Sequence, residues 1–341
     1  MAVDIRDVAK AIGMSSATVS LALNNKGRVS AKTRQLVLDT AREMGYFPSS
    51  YARGLRGTET GLIGFQIGHA AEGSPITDSA FATQLLNGAS RAALQQGWLV
   101  VVVPPNTNRE ILSKIGIRQA IVLDPVGDEG LFLHVRDSGG SVITIGKPNR
   151  KIEDKGPGII GTIDYGVETL LRTGLDHLFN SGYRRPALLT FSYPISYLSE
   201  TAAEFKSWAN EKNIPAIIAS SQKLDIAASA HIARELLAGD KAPDAIYTTN
   251  EEGALGVLQA ARQLGLRIPE QLGVITTTNT PRVLQSDPSI TALDLHPDRI
   301  GERAIAMLVN LLSGDISLQH NDVPFDLYIR QSTLKVSFDR S

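Results

Sequence analysis

From Gly61 onward, short apolar runs and amphipathic stretches take turns along the chain: GLIGFQIG, FATQLLNGASRAALQQG, WLVVVV, QAIVLD and SVITIG. The short β-branched runs read as strands, and the longer stretches with apolar residues three and four apart read as helices. Strand and helix in alternation favour parallel sheets covered by helices, because parallel neighbours need a crossover between them. A second series follows residue 162: RPALLTF, ETAAEFKSWANEKN, AIIASS, IAASAHIARELLAG, DAIYTTN, EGALGVLQAARQLG and LGVITTTN. Two α/β subdomains are therefore expected, with no sequence repeat or low-complexity tract pointing elsewhere.

The chain has 341 residues, 43% of them hydrophobic, enough for a core in each of two or three domains. It has no cysteine, which excludes a disulfide framework, a thiolate metal cage and a catalytic thiol, and suits a reducing cytosol. The start, MAVDIRDVAK, lacks the apolar core of a signal peptide, and WLVVVVPP is far too short to span a membrane. A soluble, cytoplasmic protein is expected. Charge is unevenly spread. The first sixty residues hold nine Lys/Arg against five Asp/Glu, a net of +4, and the remainder 25 against 30, a net of −5. A basic head on an acidic body suits a polyanion partner for the head, although a solvated charged surface has the same composition.

That head divides into three helical segments. Ile5, Val8, Ala9 and Ile12 recur at helical spacing before Gly13; Ser15 can cap a second helix running to about Asn24; Ser30 can cap a third, with Val37, Ala41 and Met44 on one face and Gly45 at its end. On the second helix Val19, Ala22 and Leu23 point inward, leaving Ser16, Ala17, Ser20 and Leu21 near the outer surface. In a helix-turn-helix unit this helix enters the major groove, and small residues at its start let the backbone approach the base edges. The hydroxyls of Ser16 and Thr18, with Arg28, Lys32 and Arg34, are candidates for the phosphates. A small three-helix cap on a larger enzyme would show the same periodicity.

The stretch SSYARGLRG narrows the choice. Ser49 can cap a helix of about seven residues, which is too short to stand alone, and Gly54 in its middle costs a further 0.8–1.0 kcal/mol or so against Ala. Such a segment needs a template. Tyr51, Ala52, Arg53, Leu55 and Arg56 provide what a minor-groove wedge requires: cations for the phosphates and an aliphatic side chain to enter a base step. Without DNA the same residues read as a flexible linker.

Taken together, IRDVAKAIGMSSATVSLALNN, VSAKTRQLVLDTAREMGYFPSSYARGLR and the body that follows resemble the LacI family of bacterial transcription regulators over nearly the whole chain. The resemblance implies an N-terminal all-α helix-turn-helix domain (1–47) and a hinge helix with linker (48–60). It also implies an α/β periplasmic-binding-protein-like body of two parallel-sheet subdomains, 61–162 with 294–323 and 163–293 with 324–341, with crossovers near 162, 293 and 324. Ser16, Ala17 and Leu21 then occupy base-reading positions, and Leu55 that of the leucine inserted at the operator centre. Leu21 departs from the Arg often found there. Arginine grips guanine bidentately, whereas leucine offers only apolar contact such as a thymine methyl.

Catalytic signatures are missing from the body. GPGIIG at 156–161 satisfies G-x-G-x-x-G in letters but follows the charged RKIEDK and leads into TIDYG, so it reads as a loop. No H-E-x-x-H, Walker A or G-x-S-x-G pattern occurs. No catalytic residue, metal site or cofactor is expected.

By resemblance a ligand cleft lies between the subdomains. Thr201 falls at the position of an Arg, and Thr278 at that of an Asp, with which many family members clamp a sugar or purine. Asn250 remains from the family's ND pair, and Ser79 and Phe81 match the segment at the cleft mouth. Asp124 and Asp164, near strand ends, complete the candidates, each of which has a plain structural alternative as a cap, turn or core residue.

The reading that results is a repressor that binds a palindromic operator as a homodimer, controlled by a small molecule, a sugar or another metabolite. No membrane is involved, and the setting is the bacterial cytoplasm, in association with the nucleoid. The closing YIRQSTLKVSFDRS carries no heptad tail, which favours a dimer over a tetramer. Control by a protein partner or by no ligand, and more remotely a solute-binding protein or sugar-modifying enzyme with a helical cap, are the alternatives.

Overall fold

The computed structural model describes residues 3–23, 27, 29–46, 61–68, 79–149, 156–239, 241–314 and 320–335, with 320–322 as backbone only. Two compact units emerge, Met1–Gly61 and Leu62–Ser341. In the first, α1 spans Ile5–Ala11, α2 Ser16–Leu23 and α3 Ala31–Glu43. Each begins at a side-chain cap. Asp4 accepts from the N–H groups of Arg6 (2.6 Å) and Asp7 (3.1 Å), while Asp7 accepts from the Asp4 N–H at 2.8 Å. Ser15 Oγ accepts from Thr18 N–H, and Ser30 Oγ from Thr33 N–H, both at 3.1 Å. Caps contribute about 1 kcal/mol each, which matters for helices too short to persist alone. Gly13, at φ 64°, makes the turn between α1 and α2. Val8, Ala9, Val19, Ala22, Val37 and Ala41 bury one stripe of each helix in a common core.

The second unit contains two six-stranded sheets. The first is built from β1 (Leu62–Ile67), β2 (Leu99–Val102), β3 (Gln119–Leu123), β4 (Ser141–Ile145), β5 (Ile159–Asp164) and β11 (His320–Asp322), in the order β11-β5-β4-β3-β1-β2 and parallel throughout. The second comprises β6 (Pro186–Phe191), β7 (Ile217–Ser221), β8 (Ala245–Thr248), β9 (Gly273–Thr276), β10 (Thr291–Asp294) and β12 (Asp326–Tyr328), in the order β12-β10-β9-β8-β6-β7 with only β12 antiparallel. The chain changes sheet three times, at 165–166, 295–296 and 323–325. Continuous burial of β3, β4 and β6 follows from helices on both faces.

Those helices are α4 (Ala80–Gln95) and α12 (Pro297–Leu312) on one face of the first sheet, α5 (Arg109–Ile115) and α6 (Gly130–Asp137) on the other. The second sheet is covered by α7 (Val167–Asn180) and α8 (Ser196–Glu211) on one face, α9 (Ile226–Leu237) and α10 (Glu251–Leu264) on the other; α11 (Pro281–Leu284) adjoins α10. The α4–α12 contact joins segments about two hundred residues apart, and glycine allows it. A Cβ on Gly88 would lie 1.9 Å from the Asp298 carbonyl oxygen, and one on Gly301 2.1 Å from that of Leu85.

One sequence reading needs correction here. GPGIIG is not a loop throughout, because β5 begins at Ile159 and Gly161 lies within it. A Cβ on Gly158 would stand 2.6 Å from the Arg136 carbonyl oxygen, so this glycine accommodates a neighbouring backbone.

Candidate DNA-reading helix and effector cleft

In the amino-terminal unit, burial of Val19 and Ala22 fixes which side of α2 faces outward. Ala17 is exposed, Leu21 is 44% exposed, and Ser16, Thr18 and Ser20 are half-buried. The exposed Leu21 is unusual, since nothing in the unit's own core requires an apolar side chain there. Thr18 is also tied to the cap, its Oγ1 lying 2.9 Å from Ser15 Oγ. Lys32 is exposed in the first turn of α3; Arg34 is half-buried, and its Nε has no hydrogen-bond partner among the described residues. Arg28, Tyr51, Ala52, Arg53, Leu55 and Arg56 lie outside the described residues, as does the rest of the expected hinge at 48–60.

Between the two sheets, a cavity of about 140 Å³ opens at the carboxyl ends of the strands, where open α/β sheets place their ligand sites. Ser79, Phe81, Asp124, Asn250 and Thr278 all stand on its wall. Two of the expected residues do not. Thr201 lies beneath the surface of α8, 2% exposed, and its Oγ1 donates to the Tyr197 carbonyl one turn earlier at 2.6 Å. It is the first turn of α8, with Tyr197 and Leu198, that reaches the cavity. Asp164 pairs instead with Lys147 Nζ at 2.8 Å and accepts from Gly166 N–H at 3.2 Å, beside a different depression.

Most polar groups on the wall are already engaged. Ser79 caps α4, accepting from Ala82 N–H at 3.1 Å. Asn250 caps α10, accepting from Gly253 N–H at 2.9 Å. Thr277 Oγ1 donates to the Thr249 carbonyl at 2.9 Å and lies 3.0 Å from the Tyr197 hydroxyl. Glu251, beside Asn250, is buried and accepts from Thr280 Oγ1 and, at 2.7 Å, from Arg282 Nη1.

Asp124 is the one charged residue on the wall among the described residues. It follows β3 with φ 48°, and its Oδ1 accepts from the Tyr165 hydroxyl at 2.8 Å. Loss of hydration raises its carboxyl to about 7 despite that hydrogen bond, which acts the other way. Burial likewise pushes the Tyr197 phenol up to about 12.

What residue-by-residue reading missed is the aromatic lining. Phe81 meets Tyr165 edge to face, ring centres 6.2 Å apart, and Tyr165 meets Tyr197 in the same manner at 5.2 Å. Phe191 and Tyr193 continue the wall. Tyr165, Phe191 and Tyr193 all stand at or just past the carboxyl end of a strand, the signal that could have found them. Around the rim, the subdomains are linked by Lys147 Nζ to Glu200 (3.2 Å), Ser196 Oγ to the Lys147 carbonyl (2.5 Å) and Asn149 Nδ2 to the Pro194 carbonyl (2.9 Å). Val126 packs across with Phe191, Ile195 and Leu198.

Comparison with known proteins matches both units. Residues 4–49 fit the family of bacterial regulatory proteins, lacI family, and 175–333 a periplasmic binding protein-like domain. The ribose operon repressor of Halalkalibacterium halodurans is 26% identical over 96% of this chain and 96% of its own. Catabolite control protein A of Priestia megaterium is 26% identical over 98% and 100%. Among solved structures, the lac repressor dimer bound to operator and the anti-inducer ONPF is 22% identical with a TM-score of 0.80, covering 98% of this chain and 100% of that one. These relatives are regulators, not enzymes.

Proposed function

Because the chain belongs to the LacI family of bacterial transcription regulators, we propose that it represses transcription by binding a palindromic operator as a homodimer, and that a small molecule in the inter-sheet cavity controls this binding. The carrying observation is α2, whose buried side is fixed by Val19 and Ala22 while Ala17 and the apolar Leu21 stay exposed. A surface of small residues and one leucine suits a major groove, where Leu21 would meet a thymine methyl. Ser16, Thr18, Ser20, Lys32 and Arg34 supply polar and charged groups around it for bases and phosphates. Arg28 and the segment from Tyr51 to Arg56 join them on sequence grounds.

Residues 1–47, 48–60 and the two halves of the body are the reading head, the hinge and the sensor. A second copy of the chain is the expected partner. The edge strand β2 leaves Leu99, Val101 and Val102 between 36% and 59% exposed, with Leu94 of the adjoining α4 at 66%, and an apolar sheet edge of this kind calls for cover. No described helix is long and apolar enough to cross a membrane, and a cytoplasmic, nucleoid-associated location follows from the DNA-binding role.

Selection of bound duplexes from random DNA by the full chain tests this reading. An enriched inverted repeat is expected; recovery of unrelated sequences only would overturn it.

A further inference from the structure

The cavity wall carries a chemical preference. Five aromatic residues, Phe81, Tyr165, Phe191, Tyr193 and Tyr197, surround a space in which Asp124 is the one charged group among the described residues. Among the described residues no Lys or Arg stands on that wall, and the sequence of residues 69–78, which precede Ser79, contains none. The nearby cation, Lys147, is held by Asp164 and Glu200 at the rim. One Asp124 oxygen takes the Tyr165 hydroxyl, the single side-chain hydrogen bond to this carboxyl among the described residues, which leaves Oδ2 for a ligand.

A polyol, which needs a partner for each of several hydroxyls, would have Asp124 Oδ2, the Thr278 hydroxyl and the Asn250 amide nitrogen on this wall and little more among the described residues. Ser79 and Asn250 spend acceptors on helix caps, and Thr277 is committed to Thr249 and Tyr197. Each sugar hydroxyl brought in without a partner would lose its hydration uncompensated. An organic cation fits better, because aromatic faces attract positive charge and a carboxylate gives it a directed hydrogen bond. Size sets a limit as well, since about 140 Å³ is close to the roughly 150 Å³ cavity that accommodates a benzene ring.

We propose that the cavity takes a compact organic amine, an ammonium group on one ring or a branched aliphatic body of similar size, with its N–H directed at Asp124 and its apolar part against the aromatic wall. This rests on the reading of the cavity as the effector site and names the class of molecule it holds. The burial of Asp124 agrees, because a bound cation restores what desolvation removes from the carboxylate.

The test is calorimetric titration of benzylamine, benzyl alcohol, benzoate and ribose into the full chain and into Asp124→Asn, at pH 8. Asparagine tolerates the positive φ of this position, and a cooperative melt of the variant checks that it folds. Benzylamine is expected to bind at least about tenfold tighter than benzyl alcohol, with benzoate and ribose weaker still. Asp124→Asn is expected to remove the preference for amine while alcohol binding stays. Absence of benzylamine binding in the millimolar range, equal or tighter binding of ribose or alcohol, or a preference that survives Asp124→Asn would overturn the amine class. Operator affinity, measured on the selected duplex, separates this from the effector reading. Ribose binding that alters operator affinity overturns the amine and leaves the effector site intact. Amine binding lost in Asp124→Asn but without effect on operator affinity upholds the ligand class and overturns the effector role.

Discussion

Tyr165 donates its phenolic hydrogen to Asp124 Oδ1 at 2.8 Å, and the two residues come from different parts of the body: Asp124 follows β3, while Tyr165 begins the first crossover to the second sheet. The bond joins the one acid that the described residues place on the cavity wall to a segment where the chain crosses between the two sheets. Tyr165 also touches Phe81 and Tyr197, one from each subdomain, edge to face. A ligand that engages Asp124 would therefore sit beside this crossover, where a different affinity for two arrangements of the halves would shift the balance between them.

Asp124 should make stability fall with rising pH. Its native carboxyl titrates near 7, above the unfolded value of about 3.9, so between these limits the native state holds a proton the unfolded chain has released, and stability declines. Asp124→Asn removes the penalty. Its stability relative to the parent is expected to rise by about 3 kcal/mol between pH 4 and 7 and to level off above about pH 8. Tyr165, Tyr197, Glu129 and the Lys147–Asp164 pair lie around this site, and taking the difference between parent and variant cancels their shared contribution. Chemical denaturation across that range checks it; a flat or falling difference would show that Asp124 is well solvated.

The α4–α12 contact should tolerate no added methyl. Gly301→Ala places a carbon against the Leu85 carbonyl, and overpacking of this kind costs about 1–3 kcal/mol. A lowered denaturation midpoint with an unchanged slope is expected. Gly265→Ala offers a contrast, because a Cβ there meets no atom within 4 Å and only the positive φ of 68° is strained.

Lys147 should matter locally and little globally. Its side chain is 51% exposed between Asp164 and Glu200, and pairs of this kind contribute about 0.2–1 kcal/mol. Lys147→Met is expected to leave global unfolding nearly unchanged while amide exchange in residues 194–200 quickens. Unaltered exchange there would show that Ser196 and Asn149 hold the rim without it.

Leu55→Ala should reduce affinity for the selected duplex and its bending, with binding to random DNA largely kept, because a wedge acts only where the base step yields. Equal losses on both DNAs would remove the wedge role assigned on sequence grounds.

The body was legible where local pattern and tertiary demand agree. Runs such as QAIVLD and SVITIG became β3 and β4 because β-branched residues buried on both faces suit a central parallel strand. Ser15 and Ser30 act as caps in the structure, since capping is settled within four residues. The cavity was only half legible. Asp124, Asn250 and Thr278 reach the wall, but Thr201 does not, because carrying a position across by register leaves out helix rotation, and α8 turns Tyr197 and Leu198 to the site instead. The aromatic wall stayed hidden for a related reason. Its rings come from α4, a crossover, a strand end and α8, a gathering that only the packed fold brings about.

Direct titration of the selected duplex and of its scrambled counterpart, at matched salt, with the parent chain and with Leu21→Arg, bears most directly on the role of α2. The parent is expected to prefer the selected duplex, and Leu21→Arg to move that preference toward a guanine within each half-site by about 1–3 kcal/mol. Equal affinity of the parent for both duplexes, or an unchanged base preference in Leu21→Arg, would contradict a DNA-reading role for this face of α2.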